Sequence, residues 1–336
     1  MIHLQLQGNH DQTGQQWGSL LRESGVKILD HIPFPITGER MEYAEACLPV
    51  YRQYYPALLE ELQGLAAGQD CDVQLLRAAL FSMYAIPPAC HCSCFAVAEG
   101  DEILFGRNSD FLPVLEEHNT NVIVHQTDGT CSFTGNTTSF LQMEDGVNQK
   151  GLAVGLTSVS PAKIKPGFNA GLLVRYLLET CGTVPEALEK LKTLPIGSAQ
   201  TLTLADTKGG LAVVECNAER VGIEGPADLE SPFVCATNVF HLPSMRSYNR
   251  ATEDDWFAER RYRTMTEALK RKNLRKDLSF AQGLLSGQYG FLCQYDRSTG
   301  KDTVWSVVYD LKRHAIYRSE SNPCRSGYQE DMRFAF

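Results

Sequence analysis

The sequence predicts an α+β protein in which largely antiparallel sheets are covered by layers of helices. Helical periodicity dominates about the first ninety residues, whereas short apolar runs separated by Gly or Asp turns dominate the rest, with paired helices between groups of runs. Several runs, such as residues 95–98, are apolar at successive positions, which indicates strands buried on both faces. Because the turns between neighbouring runs are short, we expect hairpins and antiparallel pairing.

The first ninety residues are predicted to be one short strand followed by helices. Residues 3–7 form the strand, and residues 10–31, 40–66 and 72–85 form the helices, because apolar residues recur there at helical spacing. The adjacent prolines at positions 87 and 88 then end the last of these helices.

From position 90 onward the pattern changes to strands. A hairpin is predicted around Gly100 and Asp101, between CFAVAE and EILFGR. Further strands are predicted at NVIVHQ, CSFTG, GLAVGLTSV, TLTLAD, GLAVVECN, RVGIEG, FVCATNVF, YGFLCQYD, DTVWSVVYDL and HAIYRSES. Helices are predicted at residues 169–181, 184–193, 252–271 and 278–286.

Composition and charge exclude several classes of protein. The chain has 336 residues, of which 43% are hydrophobic and 21% charged, a composition typical of globular proteins. It lacks the roughly 18 consecutive apolar residues of a membrane helix, and its net charge of −9 argues against a nucleic-acid partner. The first residues have neither the basic nor the apolar region of a signal peptide, so we expect a cytoplasmic protein whose eleven cysteines are mostly reduced core thiols.

Three cysteines, Cys90, Cys92 and Cys94, alternate at the start of the first hairpin. On an extended strand they would share one face about 7 Å apart, which is too far for one tetrahedral ion unless the chain bends. A metal site, a redox site and three buried structural thiols are therefore alternatives to a catalytic nucleophile. A nucleophilic cysteine also needs a base, and its own α-amino group would serve if the preceding bond were cut. That would explain why a helical segment precedes the thiols.

The stretch CSCFAVAEGDEILFGRNSDF resembles the start of the mature chain in the choloylglycine hydrolase and penicillin acyltransferase group of N-terminal-nucleophile hydrolases. It is most similar to the isopenicillin N acyltransferase-like branch, also called linear amide C–N hydrolases. Four more blocks resemble that branch in the same order, namely GNHDQTGQQWG, GVNQKGLAVGLTSV, CATNVFHL and TVWSVVYDLKRHAIYRSESNPC. The resemblance covers most of the chain and implies a four-layer αββα fold.

The resemblance assigns roles to residues of the hairpin. Cys92 falls on the nucleophile, so self-cleavage is expected between His91 and Cys92, although relatives carry a small residue where this chain has His91. Arg107 and Asp110 fall on the arginine and the aspartate of the family's hairpin. Asp110 would orient the new ammonium group and Arg107 would hold that carboxylate or shape the electrostatic field at the thiol, with a structural ion pair as the alternative. The substrate-lining residues are expected to be Cys94, Phe111 and Thr157, the last standing where several relatives have asparagine.

Two further residues match later blocks of the family. Asn238 falls on the asparagine that binds the oxyanion, with a turn-forming role as the alternative. Arg261 falls on an active-site arginine of the bile-salt enzymes, with a solvated helix face as the alternative.

Together these features predict a self-cleaving amidohydrolase or acyltransferase that acts on a linear amide through a thioester. Residues 1–91 would be a mainly helical prosegment packed on the core, and residues 92–336 the catalytic domain. We expect no metal and no organic cofactor; the partners would be a small-molecule amide and the protein's own two cleaved chains. A thiol-rich metal-binding protein, an uncleaved non-catalytic member of the same fold, the substrate and homo-oligomer formation are left open.

Overall fold

Two β-sheets lie at the centre of the protein, whose computed structural model describes residues 1–86, 91–250 and 254–336. The strands are β1 (Ile2–Gly8), β2 (His91–Glu99), β3 (Glu102–Phe111), β4 (Thr120–Gln126), β5 (Phe133–Thr137), β6 (Asp145–Asn148), β7 (Ala153–Ser158), β8 (Gln200–Ala205), β9 (Leu211–Cys216), β10 (Val221–Glu224), β11 (Phe233–Ala236), β12 (Asp302–Asp310), β13 (Ala315–Ser319) and β14 (Gln329–Glu330). The helices within the same ranges are α1 (His10–Glu23), α2 (Gly38–Tyr54), α3 (Pro56–Gln69), α4 (Val73–Ser82), α5 (Ala170–Thr180), α6 (Val184–Leu191), α7 (Ala258–Leu269), α8 (Leu278–Leu285) and α9 (Pro323–Ser326).

The larger sheet has eight strands in the order β1-β4-β5-β6-β7-β8-β9-β10, and the smaller sheet has six in the order β11-β2-β3-β12-β13-β14. Every neighbouring pair is antiparallel except β1 with β4, which is parallel. The predicted antiparallel character is therefore confirmed. Strand β1 comes from the N-terminal end of the chain and pairs with β4 at the edge of the larger sheet. The two strands are far apart in the sequence and are not joined by a hairpin, so they can run parallel.

Three apolar clusters show how the layers pack. One lies between the two sheets and includes Phe105 of β3 and Val213 of β9. A second joins the outer face of the larger sheet to helices α1–α6, and a third joins the outer face of the smaller sheet to α7 and α8. The order of layers is helix, sheet, sheet, helix, so the four-layer αββα fold is confirmed.

Helices α1 and α3 pack with their backbones in close contact because glycines face each other. A Cβ on Gly14 would lie 2.1 Å from the carbonyl oxygen of Glu61, and one on Gly64 would lie 2.1 Å from the carbonyl oxygen of Asp11. Such approaches exclude any side chain. The N-terminal segment is thus a tightly packed helical unit that also supplies strand β1.

Several predicted boundaries differ from the structure. The predicted helix at 40–66 is two helices, because Pro56 occupies the first turn of α3. The predicted helix at 10–31 ends at Glu23, followed by Gly25 with φ of 78°. The predicted start of a helix at residue 252 lies outside the described residues, and α7 begins at Ala258.

The stretch 289–296 was predicted as a strand, and this prediction is wrong. The side chain of Gln294 donates to the carbonyl groups of Gly287 and Gly290 and accepts from the backbone amides of Leu292 and Cys293. These bonds replace strand pairing and close the segment into a loop. None of the helices in the described ranges is long and apolar enough to cross a bilayer.

Candidate active site

Cys92 lies at the start of β2, fully buried, where strand pairing surrounds it with hairpin residues. In the register of β2 with β3, His91 pairs with Asp110, Cys92 with Ser109, and Cys94 with Arg107. The tight turn at Gly100 returns β3 alongside β2, so that Asp110 comes back to the beginning of the hairpin.

Three side chains hold Cys92 at three different atoms. Arg107 donates from Nη2 to the sulfur over 2.7 Å, and the backbone N–H of Cys92 donates to Oδ1 of Asn238 over 2.9 Å. Arg261 donates from Nη1 to the carbonyl oxygen of Cys92 over 2.5 Å. The thiol, the amide bond before it and the carbonyl after it are therefore all fixed in place.

Arg107 is itself completely buried and its charge is balanced by two carboxylates. Its Nη1 lies 2.9 Å from Asp145, its Nη2 lies 3.1 Å from Glu144, and its Nε donates to the carbonyl of Leu156 over 3.0 Å. Sequence reasoning missed both acids. Their signal was the adjacent pair Glu144-Asp145 among apolar residues such as Leu141, Met143 and Val147, where unpaired charges would be costly to bury.

Asp110 is fully buried and receives hydrogen bonds from two hydroxyl groups. Tyr295 donates over 2.9 Å and Thr303 over 2.6 Å, while Nη1 of Arg261 lies 3.4 Å away. Burial raises the pKa of Asp110, against the opposing effects of Arg261 and the two hydroxyls. Tyr295 was not identified from the sequence because it lies in the loop that was predicted as a strand.

Arg261, in the first turn of α7, is buried and links several parts of the site. It donates from Nη2 to Oδ1 of Asn238 over 2.8 Å, from Nη1 to Oγ of Ser93 over 2.9 Å, and from Nε to the carbonyl oxygen of Trp256 over 2.9 Å. The alternative of a solvated helix face is therefore wrong, because the side chain has no exposed area.

Asn238 follows β11 and presents its amide oxygen, not its nitrogen, to Cys92. Its Oδ1 accepts from the Cys92 amide and from Arg261, and its Nδ2 donates to the carbonyl oxygen of Ser158 over 2.7 Å. An acceptor faces Cys92 because the peptide bond between His91 and Cys92 presents its N–H to Asn238. The loop after Asn238 is held by Glu215, which accepts from the amides of His241 and Leu242.

The ring of His91 stacks on the indole of Trp256, with centroids 4.6 Å apart and planes inclined by 10°. Burial, together with the nearby charge of Arg261, lowers the pKa of His91 to about 3, so the ring is neutral.

The three residues expected to line the substrate lie in different places. Cys94 is fully buried between the sheets, where burial raises its pKa, and Thr157 is buried with its hydroxyl bonded to Thr201 and to the carbonyl oxygen of Thr237. Phe111, at the end of β3, borders a cavity of about 330 Å³. Trp17, Tyr84 and Phe140 also line that cavity.

The metal-binding alternative depends on Cys90, which lies outside the described residues. Among the residues that are described, the one acid–histidine group close enough to share an ion is His10, Glu61 and Glu179. Arg175 forms ion pairs with both of these carboxylates, so a guanidinium already supplies the positive charge there.

Comparisons with known proteins complete the description of the site. The family model described as acyl-coenzyme A:6-aminopenicillanic acid acyl-transferase matches residues 97–325, a range that contains Arg107, Asp110, Asn238 and Arg261 and begins after Cys92. No curated protein sequence matches the chain.

Three solved structures are similar in fold. The Caenorhabditis elegans ortholog of N-acylethanolamine-hydrolyzing acid amidase is 17% identical, with a TM-score of 0.48 over 66% of this chain and 93% of that one. Penicillin V acylase from Agrobacterium tumefaciens is 15% identical, with a TM-score of 0.44 over 68% and 82%. A mutant of conjugated bile acid hydrolase from Clostridium perfringens is 14% identical, with a TM-score of 0.46 over 72% and 92%.

Proposed function

Because the chain belongs to the acyl-coenzyme A:6-aminopenicillanic acid acyl-transferase family, within the N-terminal-nucleophile hydrolases, we propose that it cuts itself before Cys92 and then cleaves a linear amide with that cysteine. The observation that carries the proposal is that the thiol, the amide N–H and the carbonyl of Cys92 each have a side-chain hydrogen-bond partner, two of which, Arg107 and Arg261, are fully buried. A structural thiol needs none of these contacts.

In maturation, the sulfur of Cys92 attacks the carbonyl carbon of His91. The C–S bond forms, the C–N bond breaks, and the thiol proton passes to the departing nitrogen of Cys92. Water then hydrolyses the thioester, giving a carboxylate on His91 and a free thiol and α-amine on Cys92. Asn238 supports this step because its Oδ1 accepts from the scissile N–H and fixes the plane of the amide.

In turnover, the new α-amine acts as the general base. Its ordinary pKa of about 7.7–8.0 suits proton transfer from the thiol near neutral pH. The thiolate attacks the substrate carbonyl, the protonated amine returns the proton to the leaving nitrogen, and water or a second amine resolves the thioester. Asn238 would supply its Nδ2 to the oxyanion, since a neutral amide donor stabilises negative charge without competing for the proton.

The charged residues position these groups. Asp110 pairs with His91 across the hairpin, and its carboxylate lies 3.4 Å from the Nη1 of Arg261 that also donates to the carbonyl oxygen of Cys92, so it would orient the new ammonium group from there. Arg107 holds the sulfur while Glu144 and Asp145 fix the guanidinium. These contacts support electrostatic and positional roles for both residues, and none of them requires a metal or an organic cofactor.

We further propose that residues 1–91 are a prosegment that stays bound after cleavage. Strand β1 is hydrogen-bonded to β4, and helices α1–α4 share one apolar cluster with the larger sheet. Separating the two pieces would expose both the sheet edge and this apolar surface to water, which is unfavourable. The two chains would therefore remain one folded unit.

Intact-mass spectrometry and an amide panel test the proposal together. An active preparation should contain fragments 1–91 and 92–336, roughly 10 and 27 kDa of the 37.3 kDa chain, and should release amine from at least one acyl amide. An active but uncut chain would rule out the α-amine mechanism. An uncut and inactive chain would favour the non-catalytic alternative, and stoichiometric zinc would favour the metal-binding one.

A further inference from the structure

The residue before the scissile bond occupies a flat slot beside Cys92. The imidazole of His91 lies parallel to the indole of Trp256, and Tyr295 packs edge-on against the same indole with centroids 5.7 Å apart. Nδ1 of His91 is buried and has no hydrogen-bond partner among the described residues. The slot therefore receives a planar ring and offers that nitrogen no polar contact.

The proposed function makes this slot relevant to substrates, and the inference rests on it. In maturation the acyl group carried by the sulfur of Cys92 is residue 91 itself. In turnover the acyl group on the same sulfur comes from the substrate, and water hydrolyses its thioester as it does in maturation. The side chain of His91 therefore marks where an acyl side chain lies when its carbonyl is attached to Cys92.

After cleavage His91 carries a free carboxylate next to the thiol. For a substrate carbonyl to reach the sulfur, this chain end must withdraw, and its ring leaves the face of Trp256 uncovered. A ring that was stacked and half-buried leaves a flat space of its own shape on the indole, which a similar ring fills best.

We propose that Trp256 determines acyl specificity, and that the mature enzyme takes amides of carboxylic acids whose uncharged aromatic ring is two carbons from the carbonyl. This spacing is the one in histidine, where Cα and Cβ separate the ring from the carbonyl carbon. The substrate class is therefore the 3-arylpropanoyl amides. A cationic ring would lose its hydration there and would lie near the positive charge of Arg261.

Trp256 is rigidly connected to the groups that perform the chemistry. Trp256 and Phe257 have φ angles of 50° and 59°, a left-handed conformation that is costly for bulky residues and persists only where surrounding contacts impose it. The carbonyl oxygen of Trp256 accepts from Nε of Arg261 over 2.9 Å and lies 3.3 Å from the hydroxyl oxygen of Tyr295, which donates to Asp110. The indole is thereby fixed relative to Cys92 and Asp110.

The apolar cavity at Phe111 is the competing location for an acyl group, because its 330 Å³ would suit a long alkyl chain. We favour the slot at Trp256 as the location of the acyl group, because His91 is bonded directly to Cys92 and its side chain already occupies the slot. A preference for long alkanoyl amides over 3-arylpropanoyl amides would assign the acyl group to the cavity and overturn the proposal.

The first experiment compares kcat/KM for the 3-phenylpropanoyl and hexanoyl amides of one amine. Wild-type protein should favour the aromatic acyl group by roughly tenfold, the scale of a ring stacked in an apolar pocket. Trp256→Leu should bring the ratio close to one, whereas Phe257→Leu, which alters the neighbouring half-exposed ring in the same left-handed turn, should keep it. An unchanged ratio in Trp256→Leu would contradict the proposal.

A second experiment tests the slot without any turnover. The uncleaved Cys92→Ala variant should not bind 4-methylimidazole or toluene, because His91 fills the slot, whereas His91→Gly in the Cys92→Ala background should bind one of them, detected by calorimetry. No binding to the double variant would refute the slot. If the double variant binds a ring while the wild-type protein neither cuts itself nor releases amine, the proposed function is refuted and the slot remains.

Discussion

Two buried arginines, Arg107 and Arg175, are each held between two carboxylates, yet their surroundings differ in one respect. Arg107 bonds to Glu144, Asp145 and a backbone carbonyl, and it also donates to the sulfur of Cys92. This cluster therefore includes a thiol, the proposed nucleophile, and that thiol lies next to a peptide bond whose N–H is also hydrogen-bonded.

The cluster around Arg175 is built from the same chemistry without a nucleophile. Arg175 pairs with Glu61 and Glu179, and Glu179 also accepts from Tyr55 and contacts His10. Glu61, Tyr55 and His10 belong to the segment before Cys92, whereas Arg175 and Glu179 belong to the segment after it. This second cluster joins the two pieces that cleavage would produce.

The comparison teaches that a buried arginine between two acids does not by itself indicate catalysis. The two clusters differ in their additional partners. The Arg107 cluster contacts a thiol beside an amide N–H, whereas the Arg175 cluster contacts a histidine and a tyrosine. The following experiments alter one cluster at a time, so each should change either chemistry or stability.

The largest effect should come from Cys92→Ala, which removes the nucleophile from the Arg107 cluster. We expect a full-length chain of 37.3 kDa by mass spectrometry and no release of amine. Cys94→Ala should keep at least part of the activity, because Cys94 lies in the core between the sheets, where burial raises its pKa and keeps the thiol protonated. Cys90, outside the described residues, should behave like Cys94; an inactive Cys90→Ala with an active Cys92→Ala would reverse the assignment.

The second largest effect should be on stability, from Arg175→Met. Removing this guanidinium leaves two buried carboxylates, Glu61 and Glu179, with only the ring of His10 as a counter-charge, and breaking a buried ion pair typically costs about 3–5 kcal/mol of unfolding free energy. Urea unfolding measures it. Lys192→Met is the matched control, because Lys192 pairs with Glu189 on the surface and its loss should cost less than about 1 kcal/mol. Equal losses in both variants would mean that the Arg175 cluster does not stabilise the fold.

Two substitutions at Asn238 should separate self-cleavage from turnover. Asn238→Ala should lower kcat by about 10²–10³, the usual loss for one oxyanion donor. Asn238→Asp keeps an oxygen for the Cys92 amide and for Arg261 but loses the donor, so the chain should still cut itself while kcat falls by a similar factor. Normal turnover by Asn238→Asp would remove Asn238 from the oxyanion site.

The sequence predicted the layers and the hairpin because both depend on local patterns. Apolar runs, turn residues and helical spacing are visible in short windows, and the Gly100 turn sets which residues of β3 return to Cys92. Pro56 was an equally local signal that two helices replace one, and it was overlooked.

The partners of the site residues could not be predicted in the same way. Tyr295 reaches Asp110 across 185 positions of sequence, and the loop that carries it is closed by the side chain of Gln294, which periodicity does not reveal. Trp256 likewise reaches His91 through a left-handed turn. Contacts of this kind depend on how the layers pack, and a single sequence contains no direct signal for them.

The smallest expected effect is on how the unfolding free energy depends on pH. It is specific to the Arg175 cluster, because the titrating group is His10. The ring is fully buried, with Nδ1 2.5 Å from Asp128 and Nε2 2.9 Å from Glu179. Burial opposes protonation, but the hydrogen bond and the charge of Glu179 outweigh it and raise the pKa of His10 from 6.5 to about 9. The charged and titratable groups around the ring are Asp128, Glu179, Glu61, Arg175 and Tyr55.

Because the folded protein binds this proton more tightly than the unfolded chain, the stabilisation is complete below pH 6.5 and is lost as the pH rises through about 9. Between about pH 6 and 9.5 the wild-type protein should therefore lose on the order of 3 kcal/mol more unfolding free energy than His10→Gln, whose side chain does not titrate. The exposed His125→Gln variant should follow the wild type in urea titrations at the two pH values. If the wild type and His10→Gln lost equal amounts, His10 would not be protonated in the folded protein, and the junction between the two segments would not depend on its charge.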